Sequence, residues 1–199
     1  MTTSRIELQA GELEDLAGEQ GFPKIGFVKS ADLPGSISRH PRIAALGSGT
    51  FVLAALSCHR EEPEDLSEPG DPHALIAPFA RRNYYAEAVA RLKAVVRALG
   101  ETHGFGKREL RIFCNSPLPE KALAVVSGLG SYGRNTLILV PGMGTLFVIA
   151  GLFIPAALAG VADIHPAAVP GAGGETRFPL CGEGRACQDG CPGDALERG

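Results

Sequence analysis

Residues 50–56, Thr-Phe-Val-Leu-Ala-Ala-Leu, form a continuous apolar run of strand length, the pattern expected of a buried strand. A second apolar stretch begins at Thr145 and is interrupted by Pro155. A membrane-spanning helix needs roughly 20 apolar residues, so residues 146–154 read as another buried strand followed by a turn, with no membrane insertion. Tyr85, Val89, Leu92, Val96 and Leu99 recur at helical spacing and predict a long helix. Around these anchors we expect a first helix over 8–19, stopped by Gly21-Phe22-Pro23, and a strand over 24–28. Residues 33–48 read as a loop with a short helix, and 60–72, rich in Glu, Asp and Pro, as an exposed excursion. A strand over 109–113, a proline-initiated helix over 119–127 and a strand over 136–140 follow. The last is joined to the strand at 146–154 by a turn at Pro141-Gly142-Met143-Gly144. The mixture is α+β.

A chain of 199 residues can build one sizeable core plus a small appendage. The appendage is placed by composition: 155–176 is rich in Ala, Gly and Pro, with Pro-Ala-Ala-Val-Pro-Gly-Ala-Gly-Gly its most linker-like part. We therefore expect a main domain over 1–160, a linker over 161–176 and a separate segment over 177–199. With 45% hydrophobic residues, 21% charged residues and a net charge of -3, the chain is a folding one and carries no basic excess that would bind nucleic acid by charge. The acidic N-terminal stretch lacks the positive start and apolar core of a secretory signal, so the cytoplasm is the expected compartment.

Cysteines in such a compartment are thiols or metal ligands rather than disulfides. Cys58 and Cys114 stand alone, whereas Cys181, Cys187 and Cys191 crowd the end of the chain. Cys181-Gly-Glu-Gly-Arg-Ala-Cys187-Gln-Asp-Gly-Cys191-Pro192 matches three positions of the ferredoxin run C-x2-C-x2-C-x3-C-P, with Gly184 at the second cysteine position. Three readings stay open: a 4Fe-4S site, a zinc site completed by a fourth ligand, and free thiols on a degenerate loop. Gly128-Leu129-Gly130-Ser131-Tyr132-Gly133 formally matches a dinucleotide fingerprint. Its context is wrong for one, because a helix precedes the glycines and a strand follows. A ligand loop and a tight helix-to-strand turn remain. Cys58-His59 reads as a buried small residue and its neighbour, the alternative being contact with a cofactor or metal. His40, His73, His103 and His165 read as surface residues, and Glu61, Glu62, Glu64 and Asp65 as a solvated loop.

Pro117-Leu118-Pro119-Glu120-Lys121, followed by Gly128-Leu129-Gly130-Ser131-Tyr132-Gly133-Arg134-Asn135-Thr136-Leu137, resembles the epoxyqueuosine reductase blocks D-x-x-P-x-x-E-[RK] and A-G-L-G-x-x-G-K-N-T-L. Upstream, Ala80-Arg81-Arg82-Asn83-Tyr84-Tyr85 is similar to the same family's R-G-R-D-Y-H. The resemblance implies a nitroreductase-like cobalamin-binding domain with a short ferredoxin-like cysteine-rich C-terminal tail that feeds electrons to cobalt. It implies Gly128, Leu129, Gly130 and Gly133 near the corrin, Arg134, Asn135 and Thr136 facing its amide arms, and Cys181, Cys187 and Cys191 as metal ligands. It implies an electron-donor protein as partner. Cys114 falls where the family carries its catalytic Asp, so reduction of the queuosine precursor itself is not expected. The expected function is cobalamin-dependent iron–sulfur reduction; the alternatives are a corrinoid or metal carrier without turnover, a zinc-stapled structural domain, and a flavin enzyme on the same fold.

Overall fold

The structure, a computed structural model, describes residues 8–59, 74, 76–106, 108–162 and 178–196. In chain order its principal elements are α1 (Ala10–Glu19), β1 (Lys24–Lys29), α2 (Gly35–Ser38), α3 (Pro41–Ala44), β2 (Thr50–Ser57), α4 (Tyr84–His103), β3 (Arg111–Cys114), α5 (Glu120–Val126), β4 (Ser131–Tyr132), β5 (Ile138–Leu139), β6 (Phe147–Ile154) and α6 (Ala186–Asp189). Four strands form one antiparallel sheet in the order β1-β2-β6-β3, and β4 and β5 form a separate hairpin.

The apolar run at 50–56 is continuous because β2 is covered on both faces. Phe51, Leu53 and Ala55 pack with Leu123, Val126, Leu129 and Ile138 on the α5 side. Val52, Ala54 and Leu56 pack towards α1 and α4, among Leu13, Leu92, Val95 and Leu99. Side chains on a strand alternate faces, so a strand between two layers has no solvent side to make polar. β6 lies beside β2 over its whole length, from Thr50 opposite Ile154 to Ser57 opposite Phe147. Gly151 gives way to the Phe113 ring: a Cβ there would run into that ring and come within 2.8 Å of the Val52 carbonyl oxygen. Gly26 does the same on β1, where a Cβ would stand 2.8 Å from the Leu129 amide nitrogen. With that space open, the Phe27 N–H donates to the Ser127 carbonyl at 3.0 Å, seating the end of α5 against the sheet.

The long helix is present, with a different phase. Its buried stripe is Tyr84, Ala88, Leu92, Val95 and Leu99, and Tyr85 is 47% exposed. Two adjacent tyrosines left the register ambiguous, and the small Ala88 is what lets the helix lie close to the sheet. Asn83 caps the start by accepting the Ala86 N–H at 3.0 Å, and left-handed Gly104 closes the end. His103 is not a surface residue: its side chain is 5% exposed, and its Nε2 lies 2.7 Å from Glu12 Oε1, tying α4 to α1. The strand expected over 136–140 is reduced to Ile138–Leu139, because Gly133 to Thr136 is spent on a turn that folds it back on β4. The turn at 141–144 forms as expected, with Val140 and Gly144 bridged. The excursion at 60–72, nearly all of the linker at 161–176, and His73 and His165 lie outside the described residues.

Candidate functional site

β3 ends at Cys114, opposite Ala150 and three residues short of the β6 start at Phe147. The Cys114 thiol donates to the Ile149 carbonyl at 3.3 Å, and the chain turns at Asn115 with a left-handed φ of 50°. Glu120, the first residue of α5, holds that turn: Oε2 accepts the Asn115 N–H at 3.1 Å and Oε1 the Ser116 N–H at 2.8 Å. As in a capping box, a carboxylate in the first helical turn reaches back to backbone donors that have no ladder partner. The residues that follow the family's acid position are thus fixed from the helix. Burial, and after it the negative charge of Glu120, pushes the Cys114 thiol up from 9.0 to about 11, so it carries its proton throughout the neutral range. Glu120→Gln removes the smaller of those causes. The thiol should then titrate lower, though still above 9.0 because burial persists, as a pH series of thiolate absorbance would report.

The glycine segment is a helix stop followed by a hairpin. Gly128, at a φ of 76°, donates to Val125 O at 3.0 Å and Leu129 to Ala124 O at 3.0 Å, closing α5. Leu129 is buried in the core. Thr136 N–H donates to Gly133 O at 2.9 Å and Gly133 N–H to Leu137 O at 2.8 Å, while Asn135 Oδ1 accepts the Leu137 N–H at 3.1 Å. A Cβ on Gly130 would run into the Leu139 carbonyl, and one on Gly133 would approach Leu139 Cδ1 at 2.6 Å. Two of the four residues expected near a cofactor are therefore needed by the hairpin itself, and Leu129 by the core. Gly128 differs, being exposed with no heavy atom within 4 Å of an added Cβ.

These parts meet. Lys121, next to Glu120, donates from Nζ to the Thr136 carbonyl at 3.2 Å. Arg134 Nη1 donates to Gly182 O and Gly184 O, both at 2.9 Å, and a Cβ on Gly133 would lie 3.5 Å from Cys181 Sγ. The Cys114 turn, the hairpin and the start of the tail form one contiguous surface. Cys58 is fully buried, with its carbonyl accepting from Tyr84 Oη at 3.1 Å, and Cys114 packs against the same cluster. Tyr85 and Leu146, each more than a third exposed, flank Cys58: the Leu146 carbonyl accepts the Cys58 N–H at 2.8 Å, and Tyr84, next to Tyr85, donates to the Cys58 carbonyl. A cleft of about 510 Å³ lies at the opposite end of the sheet, between Lys29, Ser48, Gly49 and Ala156, and does not reach Cys114. Glu120 shows in the sequence only as the acidic residue after Pro119, and nothing there marks Arg134, expected to face a cofactor's amide arms, as a partner of Gly182 and Gly184.

A cubane cluster needs four thiolates and a structural zinc four donors. Among the described residues no group of three or more His, Cys, Asp or Glu side chains is arranged to hold a metal ion, and Cys191 Sγ accepts the Ala195 N–H at 3.4 Å. Among the described residues the tail supplies three thiols, Cys181, Cys187 and Cys191, one fewer than a cubane's four.

No family model matches the chain. The epoxyqueuosine reductase of Burkholderia pseudomallei is 30% identical to it over 162 residues, 78% of this chain and 38% of that protein. The chain is a relative of the epoxyqueuosine reductases. The structure of the Streptococcus thermophilus epoxyqueuosine reductase superposes with a TM-score of 0.69 at 18% identity, covering 94% of this chain and 53% of that one. A catabolic reductive dehalogenase shares the fold more distantly, at a TM-score of 0.52 and 17% identity over 77% of this chain and 20% of its own. The chain thus spans less than half of its curated epoxyqueuosine reductase relative. Among the described residues no helix is long and apolar enough to cross a membrane.

Proposed function

We propose that this chain is a corrinoid-binding redox domain of nitroreductase-like type, with cobalamin held at the Cys114 end of the sheet. The observation that carries the reading is the convergence of the Cys114 turn and the glycine hairpin, joined through Glu120 and Lys121, with the exposed Tyr85 and Leu146 beside Cys58. Bound cobalamin would supply the electron chemistry that side chains do not. The chain's own residues would position and shield it. Gly128 offers open backbone, Asn135 and Thr136 polar groups for amide arms, and Tyr85 and Leu146 apolar surface of the kind a flat macrocycle covers.

Cys114 sets the limit on the chemistry. A thiol that titrates at about 11 holds its proton far more tightly than a carboxylic acid, so we do not assign reduction of the queuosine precursor to this chain. It also favours a second reading, in which the corrinoid is carried without turnover. Because the tail does not present four ligands, electrons are proposed to come from a separate donor protein. Gel filtration with hydroxocobalamin tests the binding: about one cobalt retained per chain is expected, and elution free of cobalt would reject it. Steady consumption of reductant by the loaded protein with an added electron-accepting substrate would reject the carrier reading.

A further inference from the structure

The tail's first cysteine lies in a tight turn. Gly184 N–H donates back to Cys181 O at 3.1 Å, and Gly182 adopts a left-handed φ of 52°. That conformation turns the carbonyls of Gly182 and Gly184 to the same side, where both accept from a single nitrogen, Arg134 Nη1, at 2.9 Å. The Arg134 Cζ also sits 5.8 Å from the centre of the Phe178 ring, within cation–π range. Gly133, the residue before it, lies beside Cys181, where a Cβ would stand at an ordinary contact distance of 3.5 Å from Sγ. Three contacts thus run from Arg134 to residues 178, 182 and 184. Gly184 is also the position at which the ferredoxin spacing calls for a cysteine.

We propose that Arg134 is a positioning residue that docks the cysteine loop, residues 178–184, on the glycine hairpin, doing by hydrogen bonds what a bound cluster does in a complete ferredoxin run. A charged donor shared between two carbonyls contributes more than a neutral pair, and the planar guanidinium can meet the ring while it bonds the turn. The docking covers one side of Cys181 and is independent of whether a corrinoid binds.

The test is site-resolved alkylation of reduced, chelator-treated full-length protein, read by mass spectrometry at each cysteine. In Arg134→Ala, Cys181 should react at least about tenfold faster than in the unaltered protein, with buried Cys58 still protected as the sign of a folded core. An unchanged Cys181 rate would overturn the proposal. So would chelation alone raising the unaltered protein's Cys181 rate to that of the variant, since metal would then be ordering the loop. If Arg134→Ala disturbs the hairpin and exposes Cys58, Arg134→Lys decides. It keeps the charge but not the planar group that spans both carbonyls and the ring, so faster Cys181 alkylation supports the docking and an unchanged rate overturns it.

Discussion

Replacing Phe51 by alanine should cost about 3–5 kcal/mol of folding stability, a large share of the about 5–15 kcal/mol that holds a domain together. Phe51 is fully buried at the middle of the α5-side core, with its ring 4.9 Å from Phe153 and 6.3 Å, edge on, from Phe113. The three rings come from three strands, β2, β6 and β3, so the loss is felt across the sheet rather than in one element. Neither neighbour can collapse into the gap without leaving its own strand position. Urea denaturation should show a midpoint shifted to much lower concentration with an unchanged slope. A shift under 1 kcal/mol would mean that this layer is not packed as described.

The second large effect concerns Cys114. At pH 8, a thiol raised from 9.0 to about 11 has a thiolate population lower by roughly 100-fold. Part of that is recovered because a more basic thiolate is a stronger nucleophile, so alkylation should be about tenfold slower than for the same cysteine in urea-unfolded protein. The rate should still be climbing above pH 10, where the unfolded chain has levelled off. The linkage follows in sign. The folded pKa is raised, so the thiol's contribution to stability is fully present below pH 9.0 and is lost as pH rises to about 11. Tyr132, raised by burial, works in the same direction at higher pH. Equal alkylation rates in folded and unfolded protein at pH 8 would contradict the buried placement of the thiol.

The strands were legible where two faces are buried. A short continuous apolar run such as 50–56 suits a strand covered on both faces, and β2 and β6 follow within a residue of expectation. The long helix was legible in extent, but its stripe was displaced by the neighbouring Tyr84 and Tyr85, which only packing distinguishes. The glycine segment was legible as a motif and not as geometry. Its spacing does not say that Gly130 and Gly133 make room for β5 while Gly128 faces outward. Long-range polar partners left the faintest trace. Glu12 with His103, Glu120 with the turn after Cys114, and Arg134 with the tail each depend on how separate elements come to rest beside one another. The tail was legible in its cysteine spacing, yet the contacts that hold it run through carbonyls that any residue type carries.

Hydrogen–deuterium exchange with and without hydroxocobalamin tests the corrinoid site most directly, because it asks for binding and for location together. Slower exchange is expected only at the Cys114 turn, the glycine hairpin at 128–139 and the segment leading into α4, with β1 and the Lys29 end of the sheet unchanged. No protection anywhere, or protection centred on the cleft beside Lys29, would contradict it.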